Sequence, residues 1–154
     1  MSNVLGTYSG KDVNVTIQHP YIDPIQIGGV QELGMAQLKV RMTVDQSDLQ
    51  VGMDGAVVPS VRLGDQGTIE IQVWQTSTLQ GLFINWYNLL RAARDQGNVS
   101  EWYGGFLVAQ SITDGATHTA RGVTIQKVPD KTYAEQAGRV SWILVACDIS
   151  NENL

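Results

Sequence analysis

Apolar residues in this chain return at every second position in one segment after another, and the period changes only once. A two-residue period belongs to strands, whose side chains point alternately to opposite faces of a sheet. The longest such run is QLKVRMTVDQSDLQVGMDGAVVPSVR, residues 37–62. It reads as two or three strands of a ribbon. Leu38, Val40, Met42 and Val44 make an apolar row, and Gln37, Lys39, Arg41 and Thr43 a polar one. Asp54-Gly55 is its tightest turn; a type I′ turn there needs φ > 0 at both residues. Pro59 has no N–H for a ladder, which places residues 56–62 on an edge or at a bulge.

Residues 12–18 form a first strand, with Val13, Val15 and Ile17 on one face. Pro20, Pro24 and Gly28-Gly29 then predict a loop or bent arm over residues 19–36. After Gly64 and Gly67, TIEIQVWQ turns Ile69, Ile71 and Val73 inward. The change of period follows. Leu82, Trp86, Leu89, Leu90 and Ala93 share one face of a helix from about residue 79 to 96. Ser77 or Thr78 can cap its start, Arg91 and Arg94 suit its negative end, and Gly97 can take the left-handed stop. Strands then resume as WYGGFLVAQSIT and ATHTARGVTIQKV, flanking Asp114-Gly115, and as the apolar and therefore central RVSWILVACDI. One helix among strands fits a mainly β fold, a β-sandwich or partly open barrel flanked by a single α-helix. Neither a boundary nor a repeat divides residues 1–154, and a chain of this length can bury roughly 68–70% of its unfolded surface.

With 43% hydrophobic and 16% charged residues the chain is globular, and its charged fraction is below average. Its net charge of −5, without any basic run, argues against a nucleic-acid-gripping surface. The single cysteine, Cys147, excludes an intrachain disulfide framework. The first residues lack a signal-peptide pattern and no apolar run nears about 18 residues, so the expected setting is the cytoplasm, without a membrane. Asn14-Val15-Thr16 and Asn98-Val99-Ser100 then carry no meaning as glycosylation sites.

No arrangement of residues in the sequence points to catalytic chemistry. His19 and His118 lack a Cys, Asp or Glu at metal-ligand spacing, and Cys147 in an apolar strand reads as a small core residue. Gly28-Gly29 and Gly104-Gly105 belong to no phosphate-binding pattern, and Asp45, Asp48 and Asp54 suit turns better than a calcium loop. Trp86 and Trp142 fit core packing better than base stacking. The expectation is a non-enzyme with no catalytic, cofactor-binding or metal site and no cofactor.

Edge-prone ribbons are an aggregation hazard unless paired, and a protein that uses such edges on purpose is an assembly subunit. LQVGMDGAVVPSVRLGDQGTIEIQVWQTS resembles the tail tube proteins of bacterial viruses, in a branch from phages with contractile tails. The likeness rests on Val51-Gly52, Asp54-Gly55, Val57, Gly67-Thr68-Ile69 and Gln75-Thr76-Ser77, and resumes at Ala120–Lys127, Val128-Pro129-Asp130 and Ser141-Trp142 up to Cys147. Tyr8-Ser9 and Lys11-Asp12-Val13 are similar too, whereas residues 19–36 are longer and richer in proline than the family's hairpin there.

The resemblance implies hexameric rings stacked into a hollow tube through which the genome passes during ejection, in a tail assembled in the host cytoplasm. It also implies a sheath, a baseplate or tail tip, a terminator and a tape measure protein as partners, with DNA passing without specific binding. Gln37, Lys39, Arg41 and Thr43 become lumen candidates, Asp54 and Gly55 turn and assembly candidates, and Leu82, Trp86, Leu89, Leu90 and Ala93 a helical brace. Two cations in a DNA conduit call for acidic residues nearby. The alternatives are a tube protein of a bacterial secretion or extracellular contractile injection system and, in another class, an enzyme or ligand-binding β-barrel.

Overall fold

A computed structural model describes residues 13–27, 34–112, 115–136 and 138–153. Nine strands and one helix follow in the order β1 (Val13–His19), β2 (Ile22–Ile27), β3 (Met35–Met42), β4 (Ser47–Val51), β5 (Val57–Val61), β6 (Gly67–Trp74), α1 (Thr78–Asp95), β7 (Gly105–Ser111), β8 (Ala116–Ile125) and β9 (Arg139–Asn153). Seven strands form one antiparallel sheet in the order β2-β1-β7-β8-β9-β6-β3, curled into a half-barrel, while β4 and β5 make a separate pair. β9 is interior, as its apolar sequence requires.

The core follows from the alternation. Ile69, Ile71 and Val73 of β6 lie opposite Leu144, Trp142 and Val140 of β9, and all six are buried. Val15 and Ile17 on β1 join Leu107 and Ala109 on β7. Fully burying one such aliphatic side chain is worth about 1.5–3 kcal/mol. Where β6 begins, a Cβ on Gly67 would sit 2.3 Å from the Arg41 carbonyl oxygen, so this close approach of strands admits only glycine.

Ser77 caps α1, its Oγ accepting from the Gln80 N–H at 3.2 Å. The buried helix face is Leu79, Gln80, Phe83, Trp86 and Leu90. This corrects the expected stripe: Trp86 and Leu90 are at its centre, Leu82 and Ala93 are half-buried on its flank, and Leu89 is 39% exposed. Leu79 and Phe83, seven and three residues before Trp86, set the phase, and Leu89 falls a third of a turn from it. Aromatic rings then run from sheet to helix and back, with centroids 5.4 Å apart for Trp142–Phe83, 6.3 Å for Phe83–Trp86 and 5.3 Å for Trp86–His19. Gln80 completes the join, its Oε1 accepting from the buried Trp142 Nε1–H at 2.7 Å.

Two other expectations are corrected. Residues 22–27 form a strand rather than a loop, paired with β1 through Ile25↔Ile17 and Ile27↔Val15. The prolines misled because β2 is an edge strand, where Pro24 need supply no ladder N–H; residues 28–33 of that stretch lie outside the described residues. Cys147 is exposed. Val140, Trp142, Leu144 and Ala146 take the inward positions of β9, so the next residue faces out. Tyr8-Ser9, Lys11-Asp12 and Asp114 also fall outside the described residues.

Candidate assembly surface

The helix and core occupy one side of the curled sheet, leaving a polar face on the other. Lys39 stands directly opposite Glu70, Arg41 opposite Thr68 and Gln37 opposite Gln72 across β3–β6. Side chains directly opposed in an antiparallel pair share a face. Gln37, Lys39, Arg41 and Thr43 are all exposed, whereas Leu38, Val40 and Met42 between them are half-buried and pack on the core. β9 adds Ser141 opposite Gln72 and Arg139 opposite Trp74 to the polar face, the guanidinium lying 4.8 Å from the Trp74 ring centroid.

β4 and β5 project from the end of the β3–β6 pair as an arm. Its base is fastened by Thr43 N–H to Gln66 O at 3.2 Å and Arg62 N–H to Gln46 O at 2.8 Å, with the Gln46 amide donating to Gly64 O at 2.9 Å. The tip corrects the expected turn type. Gly52 N–H bonds Ala56 O at 2.8 Å, leaving a three-residue loop of Met53, Asp54 and Gly55. Gly55 has φ 86°, but no non-glycine among the described residues has positive φ, so Asp54 does not take the I′ conformation. Its carboxylate instead accepts from Ala56 N–H at 3.0 Å. A three-residue hairpin loop ending in a left-handed glycine is the next commonest solution.

Register sorts the arm into two faces. Leu49↔Pro59, Val51↔Val57 and Ser47↔Val61 are on one, Asp48↔Ser60 and Gln50↔Val58 on the other. Asp48 pairs with Arg62 at 3.3 Å. On the apolar face Leu49 is 67% exposed, Val51 70%, Val57 55% and Val61 81%. This apolar face has no cover within the described chain.

The residues weighed for catalysis are scattered. His19 is buried, its Nδ1 accepting from Tyr21 N–H at 3.2 Å and its Nε2–H donating to Trp102 O at 3.3 Å. Burial of this ring pushes its pKa below the usual histidine value. His118 bonds Asn151 Oδ1 at 2.6 Å on another strand. Among the described residues no cluster of three or more His, Cys, Asp or Glu could hold a metal ion, and no helix is long and apolar enough to cross a membrane. Two residues that matter escaped the sequence reading: Gln80, hidden as a polar residue inside the helix stripe, and Glu70, visible only once register sets it against Lys39.

Comparison with known proteins gives the arrangement a context. No curated protein matches the sequence. Among solved structures, a chain of the PVC sheath/tube terminator of an extracellular contractile injection system superposes with a TM-score of 0.60 at 10% identity, covering 97% of this chain and 99% of that one. A chain of the PVC sheath–tube complex in its extended state gives 0.56 at 8% identity, with 96% and 93% covered. A chain of the anti-feeding prophage baseplate gives 0.58 at 15% identity, with 99% and 98% covered. At such identities the likeness is one of fold. The family model for the bacteriophage PhiTE tail tube protein, by contrast, matches the sequence itself from residue 5 to 153, and the chain belongs to that family.

Proposed function

We propose that this chain is the repeating subunit of a phage tail tube, forming hexameric rings that stack around a lumen for genome passage. The arm carries the proposal: a two-stranded ribbon whose apolar face lies 55–81% open at Leu49, Val51, Val57 and Val61 is built to be covered by another copy. In the ring the polar face of β3, β6 and β9 lines the lumen, with Gln37, Lys39, Arg41 and Thr43 among its residues, and the core side faces outward beneath α1. The role is structural and non-catalytic, in the virion tail and assembled in host cytoplasm. Sheath, baseplate, terminator and tape measure proteins are its partners, and DNA passes without specific binding. A second reading, the tube of a contractile injection system, is favoured by the fold likeness to the PVC and anti-feeding prophage chains.

The test is microscopy and light scattering of the purified protein alongside a Gly55→Val variant. Gly55 takes φ 86° with open space around its Cα, so valine strains the tip and clashes with nothing. Rings or tubes are expected from the wild type. The variant should stay soluble with near-normal circular dichroism and lose assembly. Compact monomers of the wild type at high concentration would sink the proposal, and normal tubes from the variant would remove the arm tip from the interface.

A further inference from the structure

The polar face of β3, β6 and the part of β9 paired with β6, residues 139–146, reverses the charge balance of the chain that carries it. Lys39, Arg41 and Arg139 against Glu70 leave it at +2 (three cations less one anion), while the whole chain is −5. A cationic wall holds polyanions, because each Lys or Arg that meets a phosphate releases a counterion. Two of the three cations nevertheless have company. Arg139 is stacked over Trp74 at 4.8 Å. Lys39 faces Glu70 directly, and Cβ atoms of opposed residues lie about 4.5–5.5 Å apart. Arg41, opposite Thr68, is the diagonal neighbour of the same carboxylate. Glu70 is half-buried between β3 and β9, with the Gln72 amide donating to its Oε1 at 3.5 Å. It is the sole anion on this stretch of the face, Asp148 and Glu152 lying farther along β9 opposite Arg121 and Thr117, and its position sets it against both β3 cations.

We propose that Glu70 is the residue that lets this face pass DNA instead of holding it. The proposal rests on the tube reading above, in which the face lines the lumen. Its carboxylate neutralises Lys39 and weakens Arg41, so that a sliding phosphate backbone meets no free pair of cations. Removing it raises the face from +2 to +3 per subunit and frees Lys39 for a phosphate. Each added phosphate contact steepens the dependence of log K on log salt by about 0.9, so affinity at 50 mM over that at 200 mM rises roughly three- to fourfold per contact.

The experiment compares wild type, Glu70→Gln, and Glu70→Gln/Lys39→Gln for binding of labelled duplex DNA, across 50–200 mM salt, with microscopy and thermal melting of each protein. The expected result is weak binding by the wild type and salt-dependent binding by Glu70→Gln, with its slope steeper by about one per subunit engaged. The double variant should return to the wild-type slope. A merely structural glutamate would move the melting temperature and leave the salt slope alone. Equal slopes for wild type and Glu70→Gln in assembled tubes overturn the role of Glu70 and leave the tube standing. Tight, steeply salt-dependent binding by the wild type overturns it too, since the carboxylate would then fail to shield the face. Failure of the wild type to assemble defeats the tube reading, and with it this inference.

Discussion

Gln80→Leu tests whether a hydrogen bond holds the helix to the sheet. Both Gln80 and Trp142 are buried, and the indole N–H donates to Gln80 Oε1 at 2.7 Å. Leucine is helix-favourable and of similar size, so the substitution leaves little cavity and strips the acceptor from an N–H that water cannot reach. An orphaned buried donor costs about 1–3 kcal/mol. For a domain of this size each kcal/mol shifts Tm by roughly 2–4 °C, so the expected fall is on the order of 2–12 °C. The assay is thermal and urea unfolding under conditions that keep the protein monomeric. Trp142→Phe should also destabilise, through lost ring volume and an unpaired Gln80 amide. The double variant Gln80→Leu/Trp142→Phe should cost less than the two single changes summed, because neither polar group is then stranded. Strict additivity, or an unchanged Tm for Gln80→Leu, would show that the bond contributes nothing and that the helix docks on aromatic packing alone.

Two further changes probe the same core. Trp86→Ala should cost about 3–5 kcal/mol by urea unfolding, since the ring is fully buried against His19 and Phe83; a cost below about 1 kcal/mol would show that the site collapses freely. His19 is held neutral by burial, with its Nδ1 already accepting from Tyr21 N–H, so the unfolded chain binds the proton more readily. Its stabilising contribution is full above the unfolded pKa of about 6.5 and is lost as pH falls through the lower folded value. Wild type should therefore lose more stability than His19→Asn between pH 7.5 and 5.5, and parallel losses would refute the assignment.

The fold was readable wherever period and burial agree. Ile69, Ile71 and Val73 declared β6, and the shift to a helical period declared α1, because each element faces a core supplied by its own chain. The reading failed where a local rule met tertiary context. Pro24 signals a loop until β2 is known to be an edge. Cys147 in an apolar run signals a buried residue until the phase set by Trp142 and Ala146 turns it out. Leu89 signals the helix face until Leu79 and Phe83 fix where that face is. Glu70 looks like any strand glutamate, and only the pairing with Lys39 gives it a charge to balance.

The arm marks a deeper boundary. Alternation says that one face of a strand is covered and is silent on whose residues cover it. Leu38 and Val40 have the same pattern as Leu49 and Val51, yet the first pair rests on this chain's own core and the second is open. The difference comes from the sheet, whose edge on this side is β3, so that β4 and β5 pair only with each other and have nothing among the described residues to lie on. A two-stranded hairpin is marginal alone in water. The tight base at Thr43–Gln66 and Gln46–Arg62, and the Asp48–Arg62 pair, hold this one in place with its apolar face uncovered. On the tube reading proposed above, stability and assembly are divided along the ribbon, one half of the pattern serving the monomer and the other half the tube.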